Sequence, residues 1–455
     1  MRSSGGVTSL FLRPWLETLM SSPVESFRPR ALPGSSPTRI RSWDDALKHA
    51  AKALEIHAPP DRHDERWRYT RAQDFLPPLT DSGEIAASPE SELGTELTPP
   101  TSSEEVLLLE DGKICDPEAR RRDGLRHGVT LRTMREAWSE DPALMKRIAL
   151  RSPIRDRYFV WWNTAHLDDG YVVVVSRERP HHRPLQILWR SPNALAVRRL
   201  LLILEPGARL DLVECEAARP NQLRHLVRDI HLEREATLHH ALLDVPGVNE
   251  NWLWTTGVVA DEKAAYHALG VHAGARKARH EICVDLIGAR AHATLDAAVL
   301  LPSKHVFDLQ TEIVHRADAT ESRQLVHAAT SARATAVYGG TIVVESATKG
   351  VVAHQQSRGL LLDPASDIDS RPELHIRSDD VLCTHGASIG AIDPEGLFYL
   401  QSRGLNASQA RALLLRAFAL RVLETFPAAA SAALRTTLAE RLEVLVRLLV
   451  PEAGL

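Results

Sequence analysis

The chain has 455 residues, 44 % of them hydrophobic, and a net charge of −4 with histidine neutral. That length allows one large domain with appendages or two to three domains, and the charge gives no case for binding nucleic acid or acidic membranes. Its four cysteines, Cys115, Cys215, Cys283 and Cys383, lie far apart with no CxxC pair, which argues against a zinc finger or a disulfide framework and suits a reducing cytoplasm.

Residues 1–40 are rich in Ser, Pro, Gly and Arg and read as a loose start. The apolar stretch at 7–12 is too short for a secretory core, and no run reaches the roughly 20 apolar residues of a membrane span. A soluble protein is expected. A helix begins near Ser42, with Trp43, Leu47, Ala50, Ala51 and Leu54 at helical spacing. Residues 77–104 are polar and acidic and read as a linker. A second helical pattern covers 130–151, with Leu131, Met134, Ala137 and Trp138 on one side. The N-terminal region, 1–154, is thus expected to be mostly helical.

Between 155 and 391 short β-favouring runs follow one another, at 171–175, 185–189, 200–204, 210–213, 341–344, 359–362, 374–376 and 381–383. No long amphipathic helix interrupts them. A turn followed by Ala recurs, as in Pro206-Gly207-Ala208 and Glu235-Ala236. This pattern fits a β-solenoid or a sandwich, and on pattern alone both stay open. A solenoid would need caps, because its end coils expose apolar faces and strand edges. From 392 to 455 the pattern is helical. Asp393-Pro394-Glu395 starts one helix, and Asn406 with Gln409 makes a capping box for the next. There Ala410, Leu413, Leu414, Ala417 and Phe418 form one apolar stripe. The last helix carries Leu434, Leu438, Leu442, Leu445 and Leu449.

The chemistry-bearing candidate is the segment from Asp379 to Gly386, Asp-Asp-Val-Leu-Cys-Thr-His-Gly. On a strand, Cys383 and His385 point to one side, presenting a thiol and an imidazole, both ligands for iron and its sulfur clusters. Asp379 and Asp380 would disfavour the thiolate. Fourteen of the 21 histidines fall between His225 and His385. His239, His240, His305, His315, His327 and His354 are weaker candidates, better read as hydrogen-bonded or surface residues; His375 has a better case, lying on the strand before Cys383. Asp363, Asp367 and Asp369 could mark a polysaccharide-acting solenoid enzyme, but they suit turns around Pro364. The nine Trp residues all lie at or before Trp254, away from those carboxylates. P-loop, Rossmann, HExxH and GxSxG motifs are missing.

From His305 to Phe418 the chain resembles the SufB/SufD family of iron–sulfur cluster assembly scaffolds. The likeness rests on Thr311-Glu312-Ile313-Val314-His315, Gly340-Thr341-Ile342-Val343-Val344, Arg371-Pro372-Glu373-Leu374, the segment Asp379 to Gly386, and Leu397-Phe398-Tyr399-Leu400-Gln401-Ser402-Arg403-Gly404. Glu65-Arg66-Trp67-Arg68-Tyr69-Thr70 and Asn163-Thr164-Ala165 extend it upstream. The Asp379–Gly386 phrase resembles the SufD side of the family rather than the SufB side, while His375 stands where the family usually has Glu and Tyr338 where it usually has Phe. The resemblance implies a right-handed parallel β-helix flanked by helical N- and C-terminal regions. It implies a non-catalytic subunit that pairs with SufB and docks the ATPase SufC on its C-terminal helices. Phe398, Tyr399, Leu400, Arg403, Leu413, Leu414 and Phe418 are the candidate docking residues. Cys383, His385 and, more weakly, His375 are the candidates for a transient iron–sulfur cluster shared with SufB. A SufB-like subunit accepting sulfur on Cys215 or Cys283 is the alternative within the family.

Overall fold

The computed structural model describes residues 42–61, 63–77, 105–110, 113–114, 128–178, 184–191, 193–216, 223–244 and 247–450. The loose start, nearly all of the acidic linker and Cys115 fall outside the described residues. Two parallel sheets wind the chain into a β-solenoid of about 7 turns. One sheet holds the even strands: β4 (Tyr171–Val175), β6 (Leu195–Leu204), β8 (Leu223–Leu232), β10 (Gly247–Ala260), β12 (Ala275–Leu286), β14 (Val306–His315), β16 (Thr335–Val344) and β18 (Asp367–Ile376). The other holds the odd strands: β5 (Leu185–Arg190), β7 (Arg209–Glu216), β9 (Thr237–Leu243), β11 (Ala265–His272), β13 (His292–Leu301), β15 (Glu321–Thr330), β17 (Val351–Leu361) and β19 (Val381–Ala391). Each strand pairs in parallel with the strand two further along, so Val351 lies beside Val381, one turn of 30 residues on.

The recurring turn-then-Ala phrase is one corner of this coil. Gly207, Glu235, Lys263, Arg290, Ala319 and Gly350 all have positive φ. Each donates its backbone N–H to a carbonyl of the next turn's corner, as Lys263 does to Ala289 and Ala319 to Lys349. The residue that follows, Ala208, Ala236, Ala264, Ala291, Thr320 or Val351, is buried. A small or branched residue fits there because the chain bends inward at that point.

The N-terminal rim is closed by strand pairing. An antiparallel strand, β3 (Val129–Thr133), lies against β4. On the other sheet β1 (Glu105–Glu110) pairs with β5 and is itself edged by β2 (Lys113–Ile114). These strands were not expected in a mostly helical region. The pattern over 130–151 resolves into β3 and two helices, α2 (Met134–Glu140) and α3 (Pro142–Arg151), divided at Asp141, which caps the second. With α1 (Trp43–Ile56), which starts where expected and is capped by Ser42, they pack on Val172, Leu201 and Ile203 of the even sheet. Helix α4 (Tyr158–Ala165) adds Phe159 and Trp162 to a cluster with Trp67 and Phe75.

Three helices follow β19: α5 (Pro394–Ser402), α6 (Ala407–Glu424) and α7 (Ala432–Leu449). They do not cap the C-terminal end. Helices α6 and α7 fold back along the outer face of the odd sheet, burying Leu415, Ala419, Val422, Leu434, Leu438, Leu442 and Leu445 against Val213, Leu243, Val271 and Leu300. The buried face of α6 is therefore Ala410, Ala412, Leu415, Ala419 and Val422; of the expected stripe Ala410 is buried, whereas Leu413 and Ala417 point outward. Apolar residues lie on every side of this helix, between its arginines, so its periodicity does not select a face. The last helix buries all five expected leucines.

Candidate functional site

With the helices elsewhere, nothing among the described residues covers the C-terminal end of the solenoid, which is open. β18 and β19 each pair on one side only among the described residues. Their inward side chains, which would be core in any earlier turn, are accessible: Ile376 is 40 % and Ile389 45 % exposed. Such an end combines apolar surface with two rows of unpaired backbone groups.

Cys383 and His385 lie on β19 beside Ala353 and Gln355 of β17. Ala353 and Gln355 are buried, and alternation along the strand turns Cys383 and His385 inward with them. The thiol is half-buried against Ile342, Val344, Val351 and Ala353. Burial alone raises its pKa. The expected influence of the flanking aspartates is not seen: Asp380 accepts the Gly350 N–H at the corner. His385 is exposed at the rim. The two side chains thus share the inner wall of the last turn.

His375 is not with them. It pairs with Val343 on β16, while its neighbours Leu374 and Ile376 pair with the inward, buried Ile342 and Val344. His375 therefore faces outward, where it approaches Glu373 at 3.4 Å. The other histidines are occupied by ordinary partners. His240 meets Glu214 and Tyr266, His239 meets Asp211, and His315 lies between Thr320 and Ser322. His305 and His327 bond the carbonyls of Ala273 and Phe418, and His354 bonds Thr384. Among the described residues no three His, Cys, Asp or Glu side chains are grouped to hold a metal ion. Asp363 accepts the backbone N–H groups of Ala332 and Ala365, the turn role expected of it.

The candidate docking residues divide. Helix α5 buries nothing, and Phe398 is 73 % and Tyr399 59 % exposed, with Arg403 over the Tyr399 ring. Leu413 is also exposed, whereas Leu400 and Leu414 are half-buried. Phe418 belongs to the fold instead: its ring stacks on His327 at 4.6 Å.

One feature escaped the sequence reading. The segment from Glu65 to Phe75 runs as a strap over the outer face of the even sheet. His225 and Asn251 bond the carbonyls of Phe75 and Asp74, Arg279 bonds that of Arg66, and Thr70 bonds Asp308. At its far end Tyr69 bonds Asp369, and Glu65 bonds Arg371 of β18. Beside it, Arg157 donates to the buried Cys283 thiol at 2.7 Å and to Glu281 at 2.8 Å. Polar residues on outward strand positions gave the signal, since they need partners if buried.

No helix among the described residues is long and apolar enough to cross a membrane. Residues 187–418 match the family model described as the SUF system FeS cluster assembly, SufBD core domain. Over 399 residues the chain is 26 % identical to an iron–sulfur cluster assembly SufBD family protein of Synechocystis, covering 84 % of this chain and 86 % of that protein. It is 24 % identical over 390 residues to the iron–sulfur cluster assembly protein SufD of Escherichia coli, covering 83 % and 88 %. It is also 28 % identical over 234 residues to the chloroplastic protein ABCI7 of Arabidopsis thaliana, covering 50 % and 49 %. With a solenoid built from the matched segment, and that segment spanning just over half of its length, the chain belongs to the SufBD family of iron–sulfur cluster assembly proteins.

Proposed function

We propose that the chain is a non-catalytic scaffold subunit of SufD type, acting in the cytoplasm. It pairs through its open solenoid end with a SufB-type subunit and carries the ATPase SufC on its C-terminal helices. The observation that supports this reading best is the open end itself. Two unpaired strand edges and the exposed Ile376 and Ile389 call for a cover, and Cys383 and His385 lie on the inner wall at that place. A thiolate and an imidazole supply two ligands where an iron–sulfur cluster takes four. The remaining ligands come from the partner, so the nascent cluster is shared and transient, and the isolated subunit holds none. The exposed Phe398 and Tyr399 on α5, beside the exposed Leu413, suit the ATPase. The SufB-like alternative is disfavoured by burial. Cys215 lies under the C-terminal helices and Cys283 under α4 and Ile154, so neither thiol is open to a sulfur donor.

The two surfaces are separable by experiment. From a host expressing the SufB-type subunit and the ATPase, the tagged chain should recover both. Ile389→Asp should lose the SufB-type subunit and keep the ATPase, and Phe398→Asp should do the reverse. Recovery of both partners with both variants would contradict the assignment of surfaces.

A further inference from the structure

The wall beneath His385 is polar. Gln324, Gln355 and His385 occupy successive register positions on the inward face of β15, β17 and β19. Gln355 is only 3 % exposed. Across the interior, the Tyr338 hydroxyl donates to Gln324 Oε1 at 3.1 Å and accepts from Gln355 Nε2 at 2.9 Å. Thr311 also donates to Gln324 Oε1. A phenol has one proton to give, and Gln324 takes it. Gln355 must therefore present its NH2 to Tyr338, which fixes the amide and turns its carbonyl away. The seat for this amide is built: a Cβ at Gly340 would collide with both Gln355 Nε2 and the Tyr338 hydroxyl.

The carbonyl so placed, Gln355 Oε1, is buried and has no hydrogen-bond partner among the described residues. An unsatisfied buried acceptor is destabilising until a donor reaches it. The next residue along the same face is His385, one strand spacing of roughly 4.8 Å away and free at the rim to turn its ring. Among the described residues the hydroxyl of Ser370, in register with Tyr338 on the opposite wall, and Gln324 Nε2 on β15 also lack a partner.

We propose that Gln355 is a positioning residue for His385. Its carbonyl accepts the N–H of one ring nitrogen and so leaves the other nitrogen unprotonated beside Cys383, ready for a ferrous ion or a cluster iron. Histidine ligands are commonly held in this way by an outer carbonyl that selects the tautomer. The proposal rests on reading His385 as part of the cluster site, and its test is arranged so that the two can fail separately.

The test uses the full chain with ring-15N-labelled histidine, observed by NMR well above the ordinary histidine pKa of about 6.5. The His385 signals are assigned by their loss in His385→Ala. The wild-type chain should show His385 as a single tautomer. Gln355→Leu should give the mixed tautomers of free histidine at an unchanged melting temperature, and Gln355→Glu, which keeps an acceptor, should keep the single tautomer. Ser370→Ala should leave the signals as they are. Ring signals that are the same in wild type and Gln355→Leu, or that respond to Ser370→Ala instead, would overturn the proposal. If Gln355→Leu unfolds, Gly340→Ala displaces the amide and must give the same mixed signals. In the assembled complex Gln355→Leu should lower cluster yield about 10-fold. Full cluster yield with His385→Ala would remove His385 from the site, whereas the NMR outcome judges Gln355 alone.

Discussion

The guanidinium of Arg279 lies 3.9 Å from the centre of the Trp67 ring, with the two residues 212 positions apart in the chain. Arg279 is fully buried between that ring, Glu281 and Asp308. The strap is thus both an aromatic lid on a cation and the source of the Arg66 carbonyl and Thr70 hydroxyl that complete its hydrogen bonds. Trp67→Ala should remove the lid and admit water to the ion cluster, costing about 3–5 kcal/mol. Thermal unfolding and limited proteolysis over residues 63–77 would check this. A variant with an unchanged melting temperature and a protease-resistant strap would show that the strap is held without the ring.

Acid should weaken the fold well above the pH at which ordinary carboxylates titrate. Burial lowers His225, His231 and His315 to about 4, and burial with neighbouring His292, His239 and Arg323 lowers His267 to about 3. These folded-state values lie below the unfolded value of 6.5, so the unfolded chain binds the extra protons. The stability is whole above pH 6.5 and falls as pH drops towards 4, by about 1 kcal/mol per such histidine already at pH 5.5. Asp296 acts in the opposite sense. Burial raises it to about 6, so its contribution is present in acid and is lost as pH rises through 6. One aspartate offsets only part of several histidines. Urea midpoints measured from pH 7.5 to 5 should decline, and a flat or rising series would contradict the buried-histidine account.

Thiol reactivity should separate the described cysteines. Cys283 is 2 % exposed and burial pushes its thiol up to about 12; Cys215 is also buried. Cys383 is half-exposed, its thiol raised by burial alone. Alkylation of the native chain, followed by mass spectrometry, should modify Cys383 first, more slowly than a free cysteine, and leave Cys215 and Cys283 until denaturant is added. Early labelling of Cys283 would reopen the alternative in which it accepts sulfur.

The parts of the fold legible in the sequence were those whose inward faces are plainly apolar. Tyr171–Val175 reads as a strand and is one. The strands from Leu223 to Thr330 leave no clear mark in the sequence, because both of their faces are buried and many of the residues are charged. Arg228 is inside with Glu214 and His240, and Arg279 is outside under the strap. Alternation of polar and apolar residues cannot appear where ion pairs fill both sides. Period-two spacing placed Cys383 and His385 together correctly, since both lie on β19. It could not set the phase of β18 against β19, and so His375 was grouped with them. The path of α6 and α7 along the odd sheet was hidden for a related reason. Their leucines are legible, but the face that receives them is a property of strands far away in sequence.

The central claim is that the open solenoid end, with Cys383 and His385, forms part of a cluster-building interface. The most direct measurement reconstitutes clusters on the complex of this chain with the SufB-type subunit and ATPase proposed as its partners. Cluster absorbance, subunit co-purification and melting temperature are read on the same preparations. The account predicts that Cys383→Ser and His385→Ala leave assembly and melting temperature intact, because both side chains sit at an uncapped rim, yet cut the cluster yield sharply. Full cluster yield from well-assembled complexes of both variants, or a loss of yield that only follows the loss of assembled protein, would contradict it.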